Sequence, residues 1–197
     1  MDSNDIDSKD WWEQRYNVKT DYLYSKEPSA FVADNLKLLK KGETLDLAMG
    51  EGRNAVYLAK HGFQVTGIDF SPTACDRAKA LAYENNVKMD IKNQSLDFFL
   101  IPLMKYDTII VSNFHPHPSM MKNLVRGLNV GGTLLIEDYT KDQMTHGRGF
   151  KPEFKECFGS NEVLKEFSGL KIIRYDERQM NDGEFRVQCI AVKTSMT

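Results

Sequence analysis

Cysteine is scarce in this chain. Cys75, Cys157 and Cys189 stand far apart among 197 residues, and no two of them have the spacing of a zinc or thiol–disulfide motif. An odd, sparse count fits a reducing compartment. Long apolar runs are also missing: none approaches the roughly 20 residues a helix needs to cross a bilayer. The first ten residues carry four aspartates, which excludes a signal peptide and predicts a frayed end over 1–10. Nor is there an excess of one charge. With 26 basic and 28 acidic residues the formal net charge is -2, which argues against a general nucleic-acid or membrane-surface binder. These absences predict a cytoplasmic chain, a monomer or weak dimer, with no nucleic-acid or membrane partner. Its length suits one domain with a full core and is short for two.

What is present alternates between strand and helix. Trp11–Tyr16 (WWEQRY) reads as one or two helical turns, and Tyr22–Tyr24 as a loop before Pro28. From Ser29 the apolar spacing turns helical and ends near Lys41–Gly42, which makes 11–41 a helical cap on a core of 42–197. In that core Thr44–Ala48, Gln64–Phe70, Val87–Ile91, Tyr106–Val111 and Thr133–Glu137 read as strands. Between them Asn54–His61, Ser71–Glu84 and Met120–Leu128 read as helices, the second opened by a Ser–Pro cap. The polar run after Asp138, KDQMTHGRGFKPEF, is long enough to be a loop over a site. Glu162–Phe167 is a short helix. Leu170–Arg178 and Phe185–Val192 form a hairpin through Asn181–Asp182–Gly183. The pattern predicts a doubly wound α/β fold, a mostly parallel sheet with helices on both faces and an antiparallel hairpin at one edge. A dinucleotide-binding sheet would end on a parallel strand instead.

The densest signal is LDLAMGEGRNA, residues 45–55, between a strand and a helix. Gly50 and Gly52 permit a sharp turn and close approach of a ligand, and the helix start beyond them offers free N–H groups to an anion. Gly50-x-Gly52-x-x-Ala55 also fits a dinucleotide fingerprint. Asp69, ending the second strand, suits two ribose hydroxyls and occurs in either setting. Asp46 separates the readings. A carboxylate inside the first strand can order the glycine turn by bonding its amides, and it can also face a cationic ammonium. S-adenosylmethionine carries an ammonium and a sulfonium; NAD carries a pyrophosphate.

The run LDLAMGEGRNAVYLAKHGFQVTGIDFSPTA resembles class I methyltransferases, especially their small tellurite-resistance-type branch, with support from WWEQRY, Tyr24, VSNFHPHP and GGTLLIEDY. The resemblance implies a seven-stranded Rossmann-like sheet of order 3-2-1-4-5-7-6 with strand 7 antiparallel. It implies S-adenosyl-L-methionine as cofactor, S-adenosyl-L-homocysteine as product and a small-molecule acceptor, a thiol or chalcogen compound among the options. Carried over, Ala48, Gly50, Gly52, Arg53 and Asn54 line the methionine part and Asp69 holds the ribose, with Phe70 and Ser71 beside the adenosine. An acidic residue common near the adenine amine is replaced here by Gln94-Ser95-Leu96, with Asp97 as a rival to Gln94. Met49 stands where the family more often has a smaller residue.

For the reaction, the segment after the fourth strand supplies His115, a base near neutral pH, and Asn113, which can contact the methionine end. His115 is either that base or a solvated loop residue; His117 reads as solvated. Gln143, His146 and Arg148 are polar candidates for substrate contact. Trp11, Trp12, Tyr16 and Tyr24 either close over the cofactor, with Arg15 near its carboxylate, or form a packed amphipathic helix. Two rival functions stay open: a protein-side-chain methyltransferase and an NAD-dependent oxidoreductase.

Overall fold

The computed structural model describes residues 8–18, 21–150 and 157–195. Its centre is a seven-stranded sheet of order β3-β2-β1-β4-β5-β7-β6. The strands are β1 (Glu43–Leu47), β2 (Gln64–Asp69), β3 (Asp90–Asn93), β4 (Tyr106–Ser112), β5 (Leu128–Tyr139), β6 (Lys171–Gln179) and β7 (Phe185–Val192). The β3-β2-β1-β4-β5 run is parallel, and β7 is antiparallel to both β5 and β6. The strand order and the antiparallel seventh strand are those expected.

Alternation along the strands sorts the core into two layers. Leu45, Leu47, Ile109, Val111, Leu134 and Ile136 face α5 (Pro118–Gly127) and α7 (Glu162–Glu166), with Phe158 and Phe167 filling the layer. Val65, Ile110, Leu135 and Ile190 face α2 (Ala30–Asp34) and α3 (Arg53–Lys60). Helix α4 (Pro72–Glu84) packs over β2 and β3, and α1 (Ser8–Val18) lies on α4. A short α6 (Asp142–Thr145) follows β5.

Several elements differ from the sequence expectation: β5 begins at Leu128 instead of Thr133, and the short α6 stands inside the expected loop. The third strand begins at Asp90 rather than Val87. Asn86 takes a left-handed φ of 54°, and the Val87 N–H bonds the carbonyl of Ala82. Val87 therefore packs against Val56, Leu81 and Ala82 as the hydrophobic end of the α4 cap. The helix after Ser29 stops at Asp34 because Asn35 turns its amide back onto the Phe31 carbonyl, 2.7 Å away, and only a 3-10 turn (Leu36–Leu38) follows. Helix α1 starts at Ser8, inside the stretch expected to fray; residues 1–7 lie outside the described set. The β6–β7 hairpin closes as expected: Gly183 has φ 89°, and its N–H bonds the Met180 carbonyl at 2.9 Å.

Candidate active site

Parallel strands of a doubly wound sheet leave a crevice at their carboxyl ends where the strand order reverses. Here the reversal lies between β1 and β4, and a cavity of about 680 Å³ opens there. Its walls include Asp46, Ala48, Met49, Gly50, Arg53 and Asn54 from β1 and the turn into α3, and Asp69 and Phe70 from the end of β2. Leu96 and Asp97 follow β3, Asn113 and His115 follow β4, and Asp138 and Tyr139 end β5.

The glycine turn is built around two carboxylates. Gly50 and Gly52 have φ of 55° and 81°, a region L side chains rarely adopt. A Cβ at Gly52 would lie 2.8 Å from the Ala78 Cβ, and one at Gly50 would lie 3.0 Å from the Tyr16 hydroxyl. Gly52 therefore lets α3 approach α4 and caps α3, but it lies behind the cavity wall. Asp69 accepts the Gly50 N–H at 2.8 Å and the Ser71 N–H at 3.0 Å, one on each oxygen. Burial raises its pKa, against the lowering effect of those N–H bonds. Asp46 is only 2% exposed, and its Oδ2 has no hydrogen-bond partner. Burial first, then the Asp69 charge, pushes its pKa up to about 8, with Arg53 and the Ala55 N–H pulling the other way.

Two further acids were not singled out from the sequence. Glu51 is buried and accepts the Leu23 N–H at 2.6 Å on one oxygen and Arg77 at 2.6 Å on the other. This ties the 21–23 segment to the glycine turn. Asp138 is buried and lines the cavity at the end of β5. The carboxyl ends of parallel strands are where ligands sit in such sheets. That rule would have pointed to Asp138 and Tyr139, since both follow the TLLIE strand.

Ser71 caps α4, its hydroxyl accepting the Ala74 N–H at 3.0 Å, and it lies outside the cavity wall. Gln94 and Ser95 also lie outside it. The Gln94 amide bonds the Phe98 carbonyl at 3.3 Å. Ser95 accepts Lys9 at 2.9 Å, and Lys9 also pairs with Asp97. Of that trio only Leu96 reaches the cavity, beside Asp97. Asn113 has a φ of 55°; its side-chain oxygen accepts Arg186 at 2.7 Å, and the guanidinium of Arg186 lies 4.1 Å over the Tyr139 ring. His115 packs edge-on against Phe158, with ring centroids 4.3 Å apart. Its Nδ1 is buried without a hydrogen-bond partner, and burial lowers its pKa. His117 is exposed at the rim.

Part of the cavity wall is aromatic. Trp12, Tyr16, Tyr24 and Phe150 all line it. Phe150 lies 6.2 Å from Trp12 and 5.7 Å from Tyr139. Arg15 does not line the cavity. Its guanidinium is sandwiched 4.6 Å from Trp11 and 4.7 Å from Phe150. Within α1, Tyr16 is buried and lines the cavity together with Trp12. Gln143 is fully buried. Its amide donates to the carbonyls of Arg148 and Phe150 at 2.7 and 2.6 Å and accepts the Phe185 N–H at 2.8 Å. Gln143, His146 and Arg148 all lie outside the wall; Phe150, from the same loop, lies within it. Residues 151–156, the rest of that loop, lie outside the described set. No cluster of three metal-ligating side chains occurs among the described residues, and no described helix is long and apolar enough to cross a membrane.

Comparison with known proteins places this arrangement. Residues 44–132 match the family model of a methyltransferase domain. A ubiquinone biosynthesis O-methyltransferase of Coxiella burnetii is 26% identical over 80% of this chain. A probable S-adenosyl-L-methionine-dependent methyltransferase, TehB, of Haemophilus influenzae is 26% identical over 82% of it. The chain spans 65% and 59% of the lengths of those two relatives. The crystal structure of the Haemophilus influenzae TehB shares the fold, with a TM-score of 0.68 at 22% identity over 95% of this chain and 68% of that one. Residues 44–132 thus match a methyltransferase domain, and the chain as a whole resembles class I, S-adenosylmethionine-dependent methyltransferases, TehB among them.

Proposed function

We propose that the protein moves a methyl group from S-adenosyl-L-methionine to a small-molecule acceptor. The observation that carries this reading is the pair Asp46 and Asp69 around one glycine turn. The unpartnered Oδ2 of Asp46 suits an ammonium, the glycine turn suits the close approach of an amino-acid chain, and Asp69 suits ribose hydroxyls. Arg53, Asn54 and Asn113 stand where they would hold the methionine part, and Phe70 and Leu96 where they would flank the adenine. Arg15, behind the aromatic wall, would need to swing from its stack to reach the carboxylate.

When bound, the cofactor supplies an electrophilic methyl whose C–S bond electrons stay on sulfur, leaving S-adenosyl-L-homocysteine, so no acid is needed for the leaving group. The chain's own residues then align the acceptor and exclude water. Trp12, Tyr139 and Phe150 do the second. His115 takes the proton of an acceptor that arrives protonated; its lowered pKa keeps the ring neutral, and so able to accept, at neutral pH.

A thiol or chalcogen acceptor follows from the resemblance to the tellurite-resistance branch. The relatives named as ubiquinone biosynthesis O-methyltransferases add an oxygen acceptor as the second reading, and His115 suits either protonated nucleophile. Calorimetric titration with S-adenosyl-L-homocysteine, with NAD and NADP in parallel, tests the cofactor. Binding of NAD alone would overturn the proposal. A labelled-methyl screen of thiols, chalcogen oxyanions and phenols then separates the acceptors.

A further inference from the structure

Asp46 and Asp69 share one wall of the cavity but are solvated by the protein in opposite ways. Both oxygens of Asp69 receive a backbone N–H, from Gly50 and Ser71. Asp46 sits on β1 opposite Gly67 and Ile110, neither of which offers a polar side chain, and its Oδ2 is buried without a partner. Asp46 has the Ala55 N–H against the two N–H groups on Asp69, and of two neighbouring buried carboxylates the one supplied with fewer donors keeps its proton. The remaining charged and titratable groups along this wall do not reverse that. Arg53 is the cation that acts on Asp46, and its guanidinium is stacked 4.9 Å over the Tyr24 ring. Glu51 is paired with Arg77. Asp138, at the end of β5, supplies no cation, and Tyr16, Tyr24 and His115 add no charge at neutral pH.

We propose that Asp46 is a proton-carrying receptor for the ligand's α-ammonium: the free protein holds a proton on Asp46, and binding of the cofactor or its product releases it. The proton leaves to solvent as the ammonium takes its place beside the carboxylate, so one positive charge is exchanged for another at Asp46. The inference rests on the cofactor reading above and goes beyond it. It makes Asp46 the residue that reads the amino-acid end, and it makes affinity depend on pH. If Asp46 titrates near pH 8 when free, its ionised fraction is on the order of 1% at pH 6 and half at pH 8, so affinity rises about fiftyfold between them.

The test is calorimetric titration with S-adenosyl-L-homocysteine at pH 6.5 and pH 9.5, each in two buffers of different ionisation enthalpy. The expected result is about one proton released at the lower pH and a net uptake at the higher, where Asp46 is already ionised and the free ligand's amine, partly deprotonated, must gain a proton to bind as the ammonium. 5′-Methylthioadenosine, which lacks the amino-acid end, should bind with no proton release, and Asp46→Asn should abolish release with the homocysteine ligand. Infrared difference spectra should show a protonated carboxyl band lost on binding, absent in Asp46→Asn; its absence in the unaltered protein would move the released proton to the ligand and overturn the assignment. Binding of S-adenosyl-L-homocysteine without proton release at either pH overturns this inference and leaves the cofactor reading standing. Failure of both adenosyl ligands to bind overturns both.

Discussion

Arg77 on α4 and Glu51 in the glycine turn form an ion pair of 2.6 Å in which the carboxylate side chain is 4% exposed. The second oxygen of Glu51 holds the Leu23 N–H, and Arg77 also donates to the Asp21 carbonyl at 3.2 Å. One buried acid thus fastens three chain segments: the strap before α2, the turn, and α4. Tyr24, next along the strap, reaches the cavity wall because of this clasp.

Arg77→Ala leaves Glu51 buried with half its partners gone. Removing one member of a buried pair costs about 3 kcal/mol or more, and here a residual N–H bond and partial exposure of Arg77 place the loss near the low end. For a chain of this size that lowers Tm by roughly 6–12 °C. Glu51→Gln, which can keep the Leu23 bond, should lose clearly less. Thermal unfolding of the two variants checks the order; equal losses would mean that the guanidinium, not the buried acid, organises the clasp.

Glu51 shows where reading the sequence stops. The alternation of strands and helices, the glycine turn and the terminal hairpin were legible because apolar periodicity, Gly50–Gly52 and Asn181–Gly183 are local signals; the strand order came from the family resemblance. Glu51 looked like a spacer between two glycines, since its partners lie 28 and 26 residues away. Val87 looked like a strand residue because a hydrophobic cap and a strand start share the same composition. Gln143 and Arg148 looked alike as loop polars, yet one is buried and the other exposed. Only tertiary packing makes these distinctions.

Gly52 offers a steric test of the turn. An alanine there meets the Ala78 Cβ at 2.8 Å and must hold a φ of 81°. The backbone strain alone costs on the order of 1–3 kcal/mol, and the clash adds to it. Ala78→Gly removes the clash but not the strain, so the double variant Gly52→Ala/Ala78→Gly should recover part of the stability lost by Gly52→Ala. Chemical denaturation measures both. Ala78→Gly alone supplies the helix cost, about 1 kcal/mol, to be subtracted; a double variant that loses the full sum of the two single losses would assign the whole effect of Gly52→Ala to the backbone.

His115 is tested by its pH profile. Burial is the largest influence on its ring and lowers its pKa; Glu162 opposes this, while Lys141 and His117 add to it. The basic form therefore persists below the ordinary histidine range, and the rate should fall only as pH drops through that lowered value. His115→Asn should reduce kcat by about 10²–10⁴-fold with the S-adenosyl-L-homocysteine Kd unchanged, and the acid limb of the profile should vanish. An unaltered limb would assign the titration to another group.

The loop after β5 owes its shape to Gln143, whose amide closes the turn onto the Arg148 and Phe150 carbonyls while its oxygen takes the Phe185 N–H. Gln143→Leu keeps the volume and removes all three bonds, and it strands the Phe185 N–H in a partly buried position, a loss of roughly 1–3 kcal/mol for that donor alone. Phe150 would then leave its place between Tyr139, Trp12 and Arg15. Because Phe150 touches both tryptophans of the chain, their fluorescence should report the change directly. The glycine turn lies between β1 and α3 and is untouched, so the acceptor KM should rise several-fold while the S-adenosyl-L-homocysteine Kd stays within about twofold. A matching loss of cofactor affinity would mean that the aromatic wall closes over the cofactor rather than over the acceptor.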